Sequence, residues 1–411
     1  MTLGRVAWPA LAVLALALGG AAGLRAPRVP DAPYPETRRD SVVETLFGER
    51  IADPYRWLEN DVRGDPEVAD WVRRENAYTE GYLATLPARE WFASHIRELT
   101  DYERFGLPRK AGRRYFYLHN RGLQNQSVLE VRDGLDGTAR LLLDPNTWQA
   151  DGTAALDPEL WEPSPDGRLL AYGVQQSGSD WRVIHVLDVK RAKVLADELR
   201  WVNQSSIAWT DRHGFLYSRF PAPRPGEEFH ALNLNHALWY HRVGTAQAAD
   251  SLVYATPAHP EWNHTARVTS DHRFAVITTS LGTDARHEIH VIDLAAGRRR
   301  NWEVRPLVQG FTHDWTLVDS IGSVLWFVTN WQAPRCRLMT IDLAEPLPQW
   351  HEVVREGPEV LQQASIIGDE LILTYLHHAA TRAFVVDLHG GPLRALSLNE
   401  IGTAAGFHGK P

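Results

Sequence analysis

Ile292-Asp293-Leu294, Ile341-Asp342-Leu343 and Val386-Asp387-Leu388 are three copies of one short apolar strand that carries an aspartate. Val131-Arg132-Asp133, Leu187-Asp188-Val189 and Tyr240-His241-Arg242 hold the same place in three earlier copies, and each of the six reads as the C-terminal strand of its unit. From Asp133 onward the copies step by 55, 53, 52, 49 and 45 residues. A period of roughly 40 to 50 residues, with several short strands in each unit, is the signature of a β-propeller blade. The spacing therefore predicts a mainly β protein with six recognisable four-stranded blades.

Turn chemistry supports the same division. Ser164-Pro165-Asp166-Gly167-Arg168 precedes the apolar run Leu169–Val174, and Asp-Gly between apolar runs is a strong hairpin signal. Asp211-Arg212-His213-Gly214, Ser270-Asp271-His272-Arg273, Ile321-Gly322-Ser323 and Gly368-Asp369-Glu370 punctuate later units in the same way. Each of these turns is expected to open an inner strand. The aspartates Asp166, Asp211, Asp271 and Asp369 read as turn formers whose side chains satisfy nearby backbone N–H groups.

The N-terminal quarter differs in kind. Arg5, the apolar run Val6–Leu18 and the small residues Gly19–Gly23 form a secretory signal peptide pattern, too short to span a bilayer comfortably. Residues 1–26 are thus expected to be a signal peptide and linker, and the protein to be exported to a periplasm or secreted. Residues 27–99 read as an α-rich arm. Asp65-Pro66-Glu67 is a helix start, with Asp as N-cap and Pro in the first helical position. Pro87 ends that helix, and a second is expected from Arg89 to Leu99. The propeller then occupies 100–411, incomplete at its C-terminal end.

Composition excludes several functions. A net charge of −8 argues against nucleic acid as a partner, and a single cysteine, Cys336, excludes an internal disulfide framework. Among the 18 histidines, His230, His236 and His241 are 6 and 5 apart and His377-His378 are adjacent, but neither pattern has structural-zinc spacing. No metal, cofactor or catalytic residue is expected. Asp53, Arg56 and Glu59 read as an ion-paired segment, and Asp284 with Arg286 as a loop pair.

Several segments together resemble the prolyl oligopeptidase family of serine peptidases. They are Tyr34-Pro35, Phe47-Gly48, Asp53-Pro54-Tyr55-Arg56-Trp57-Leu58-Glu59, Asn120–Gln126, Leu143-Asp144-Pro145-Asn146, Gly178-Ser179-Asp180-Trp181 and Tyr217–Pro221. The resemblance runs from about residue 34 to the last residue. It implies a seven-bladed propeller between an N-terminal arm and a C-terminal α/β-hydrolase domain. That domain's Ser-Asp-His triad cuts short peptides after proline, while the propeller excludes folded proteins. The implied partners are the hydrolase domain and short proline-containing peptides, with no nucleic acid and no membrane after signal cleavage.

The chain departs from this plan. A hydrolase needs a G-x-S-x-G nucleophile elbow, and Gly178-Ser179-Asp180 and Gly322-Ser323-Val324 lack the flanking glycines. Gly402–Phe407 resembles the connection into a seventh blade. The expectation is a propeller with arm but without the α/β-hydrolase domain, inactive alone, with Trp57, Trp71 and Tyr78 left exposed. The alternatives are a stand-alone propeller that binds peptides or a protein partner, and closure as a six-bladed ring. By motif register the resemblance also implies that Gln204, Ser280 and Thr283 face the substrate cavity. Gln204 stands where many members carry an aromatic, and Ser280 where some carry an arginine.

Overall fold

The computed structural model describes residues 34–150, 152–229, 231–296, 302–398 and 400–411. The expected signal peptide and His230 lie outside the described residues. The chain divides into two compact units. One takes the residues up to Asp101 together with Pro223–Ala231, and the other takes Tyr102–Ala222 and Leu232–Pro411.

In the first unit, helix α1 spans Pro66–Ala84 and α2 spans Arg89–Thr100. The α1 cap forms as its sequence predicts: the Asp65 carboxylate accepts the N–H groups of Glu67 and Val68, at 2.8 and 3.3 Å. Trp57 is buried rather than exposed, because Arg38 holds it twice. Its indole N–H donates to the Arg38 carbonyl at 3.0 Å, and the Arg38 guanidinium lies 4.7 Å from the ring centre. Trp71 donates to Thr37 Oγ1, Tyr34 packs on Tyr78, and both Trp71 and Tyr78 are half-buried. The exposed apolar surface lies elsewhere, on α2, where Trp91, Phe92, Ile96 and Leu99 are each more than half exposed. Arg56 pairs with Glu44, Asp53 and Glu59, an ion cluster of the kind expected.

The second unit is a propeller of six antiparallel sheets. Blade 4 shows the plan: Trp262–Val268 is innermost, followed outward by Phe274–Leu281, His287–Asp293 and Arg305–Val308. Two sequence expectations need adjustment. The recurring aspartate strand is the third of four rather than the last, and the Asp-Gly-type turns follow the inner strand and open the second. Blade 1 also has five strands instead of four. Its inner strand is split into Arg104–Phe105 and Arg109–Ala111, both paired to Arg114–Asn120. Pro108 lies in the break and has no N–H to give a ladder.

Period-two alternation joins the blades. In blade 4, Phe274 and Val276 pack towards blade 5 while Ala275 and Ile277 pack towards blade 3. Five such apolar cores connect blades 1 to 6 in succession. Among the described residues none joins blade 6 back to blade 1. Residues near the C-terminus lie there instead. Ser365 donates its hydroxyl to the Phe407 carbonyl, and the Gly368 N–H donates to the Lys410 carbonyl at 2.9 Å. Gly406 reaches Leu107 of blade 1. The inner strands enclose a cavity of about 630 Å3 lined in part by Lys110, Glu162, Arg267, His272 and Lys410.

Candidate functional site

The strand order gives the propeller two unlike ends. At one end lie the turns from first to second strand, two to five residues long, and the connections from third to fourth strand. At the other emerge the loops from second to third strand and the connections between blades, among them residues 220–236 in blade 3 and 256–261 between blades 3 and 4.

Backbone strain gathers at the second end. Of the eleven described non-glycine residues with positive φ in the propeller unit, nine lie there, and Ala192 and His272 lie at the other. The nine include Trp201 (62°), Gln204 (46°), Asn235 (63°) and Phe311 (46°). Glycines meet this requirement in the tight turns, at Gly112, Gly167, Gly322 and Gly368. Non-glycine residues in this region of backbone space persist only where their surroundings hold them, and such strain clusters at functional sites.

Gln204, Ser280 and Thr283 all fall at this strained end. Gln204 is exposed on the connection between blades 2 and 3. Ser280 is half-buried near the end of the second strand of blade 4, opposite Asn263 and His287. Thr283 is exposed on the loop that follows, beside an Asp284–Arg286 ion pair that holds the Asp284 carboxyl below its usual range.

Aromatic rings lie at the same end of the propeller, and sequence reading assigned them no role there. Trp181 packs edge-on against Trp201 at 5.5 Å and Phe220 at 6.0 Å. His259 stacks on Trp262 at 3.9 Å, and Phe311 meets the other side of that indole at 4.8 Å. A signal was available: these rings lie at strand ends and in the loops of this one end.

Among the described residues no group of three or more His, Cys, Asp or Glu side chains is placed to hold an ion. His236 and His241 serve opposite ends of blade 3. His236 is 1% exposed: its Nδ1 accepts the His264 N–H at 2.8 Å and its Nε2 donates to the Asn203 carbonyl at 3.1 Å. Burial pushes His236 down to about 4, against the opposing pull of the Asn203 carbonyl. His241 is fully buried between two carboxylates, donating to Asp250 at 2.7 Å and to Asp197 of blade 2 at 3.0 Å. Burial alone would lower its pKa; the two carboxylates outweigh that and raise it to about 8.

The end loops, the aromatic rings and the two-faced blades can be set beside known proteins. Residues 34–411 match the family model described as the prolyl oligopeptidase N-terminal β-propeller domain. The chain belongs to the prolyl oligopeptidase family. A prolyl endopeptidase of Elizabethkingia meningoseptica is 32% identical over 378 residues, covering 92% of this chain and 52% of that protein. Prolyl oligopeptidase A of Amanita bisporigera is 29% identical, with coverage of 90% and 52%. Among solved structures, a prolyl endopeptidase studied for inter-domain dynamics superposes with a TM-score of 0.70 at 43% identity, over 92% of this chain and 54% of that one. Prolyl oligopeptidase B of Galerina marginata, bound to a 35-residue hydrolysis and macrocyclization substrate, gives 0.76 at 28% identity, over 90% and 54%. The chain spans about half the length of these family members, and the half it spans is the N-terminal propeller.

Proposed function

We propose that this chain is the gating and substrate-filtering part of a serine endopeptidase that cleaves short peptides after proline, and that it acts only with an α/β-hydrolase partner. The observation that carries this reading is the match of residues 34–411 to a propeller domain whose family members are about twice as long. Two features support it. Loops, strain and aromatic rings converge on one end of the propeller, where Gln204, Ser280 and Thr283 would face peptide. The uncovered apolar face of α2, with Phe92, Ile96 and Leu99 at helical spacing, suits docking against a further domain. Export follows from the N-terminal pattern as a further proposal. Recovery of a mature protein that starts near residue 24 from a periplasmic extract would support it, and an intact Met1 would refute it.

The test uses the full chain with a Gly-Pro-chromophore peptide. The chain alone is expected to give no turnover. The chain mixed with a separately produced prolyl endopeptidase hydrolase domain is expected to bind that domain and to reduce its cleavage of a folded protein relative to the short peptide. Turnover by the chain alone that a serine-directed phosphonate blocks would overturn the proposal. Absence of any complex would favour a stand-alone, peptide-binding propeller.

A further inference from the structure

Gln204 has no glycine to ease its φ of 46°, so something must hold its loop. The flanking residues show what does. On one side, the Asn203 carbonyl accepts the His236 Nε2–H. His236 in turn accepts the backbone N–H of His264 at Nδ1, which fixes its tautomer. On the other side, Ser205 Oγ accepts the Ser218 N–H at 2.8 Å, and Ser218 Oγ donates to the His264 carbonyl. Both flanks therefore lead to His264 on the inner strand of blade 4. The His264 ring bonds Thr279 Oγ1 at 3.0 Å, and Thr279 immediately precedes Ser280. His236, His264, Ser218 and Thr279 are all at most 1% exposed, so water cannot replace a lost partner.

We infer that His236 and His264 form a buried relay that sets the Gln204 loop and the Ser280 strand in fixed relation, which makes His236 a positioning residue for the peptide-facing end of the propeller. This rests on the reading that Gln204 and Ser280 face peptide. A shift of either group by an ångström would alter a shared subsite, and the relay removes that freedom across a blade boundary.

The experiment separates the two halves of the relay. In a Cys336→Ser background, Gln204→Cys carries an environment-sensitive dye, and peptide binding is read on the unlabelled protein with fluorescein-labelled Ala-Gly-Pro-Ala. His236→Gln can still donate to Asn203 but loses the His264 contact, and is expected to shift the dye emission less than either of the next two variants. His236→Asn can accept from His264 but falls short of Asn203, and is expected to shift the emission. His236→Phe loses both contacts, and is expected to shift it further and to weaken peptide binding roughly tenfold, the scale of one lost buried hydrogen bond. Equal shifts for Gln and Phe would reduce His236 to packing and overturn the inference, as would no shift in either Asn or Phe. Should Phe fail to fold, the Gln and Asn pair decides alone. Should the wild type ignore the peptide while the dye responds as expected, the peptide-facing reading fails and the relay stands.

Discussion

A histidine fully enclosed between two carboxylates is the residue whose chemistry is most tightly set by its surroundings. His241 ordinarily titrates near 6.5 and is raised to about 8 in the fold. A raised histidine contributes stability in full below the lower value and loses it as pH rises through the higher one. The wild type is therefore expected to lose about 2 kcal/mol between pH 6 and pH 9 from this group alone, read as a fall in the urea midpoint. His241→Gln should flatten that part of the profile; an unchanged slope would refute the assignment. It should also be less stable by roughly 3–5 kcal/mol at pH 6, because Asp197 and Asp250 remain buried without a cation. Nothing in the sequence around His241 announces this role. Asp197 is 44 residues away on the outer strand of another blade. By contrast Asp166, Asp211 and Asp271 were legible as turn formers, since each accepts a backbone N–H two residues on.

Among the elements, the third strands repeat visibly because their aspartates have a local task. Asp188, Asp293, Asp342 and Asp387 each accept a backbone N–H two or three residues later and so close the turn to the fourth strand. The fourth strands have no such marker, which is why the third reads as the last from sequence. The turns from first to second strand are equally local. Gly167 sits at φ 66°, and a Cβ there would fall 2.5 Å from the Ala111 carbonyl oxygen of blade 1. Gly167→Ala is expected to destabilise the propeller by about 1–3 kcal/mol in chemical denaturation. A loss below a few tenths would mean that the turn relaxes without strain. The split inner strand of blade 1 was not legible, because its two short pieces carry no period of their own and are defined only by pairing with Arg114–Asn120.

At the scale of the propeller, five inter-blade cores bind six sheets in a row, and the two outermost faces meet no sixth core among the described residues. On blade 1 this leaves Phe105, Leu107 and Leu135 each more than half exposed. The chain is therefore expected to self-associate through this face, and Leu135→Asp to reduce that association in sedimentation velocity; an unchanged distribution would show that this face is covered in solution. The contact between Gly406 and blade 1 is tight, since a Cβ would lie 2.3 Å from Leu107 Cδ1 at a φ of 88°. Gly406→Val should detach residues near 406 and raise their amide exchange, and unaltered exchange would show the contact to be incidental. The sequence alone determined the class of fold, the number of blades, the α1 cap and the family, because turns, caps and strand alternation are decided by residues within a few positions of one another. The tertiary structure alone decided the burial of Trp57, the His241 clamp, the His236–His264 relay and the strained end that gathers Gln204, Ser280 and Thr283. The clamp and the relay join residues tens of positions apart in neighbouring sheets, and only lateral packing of the blades, which no local pattern encodes, brings them within hydrogen-bonding distance.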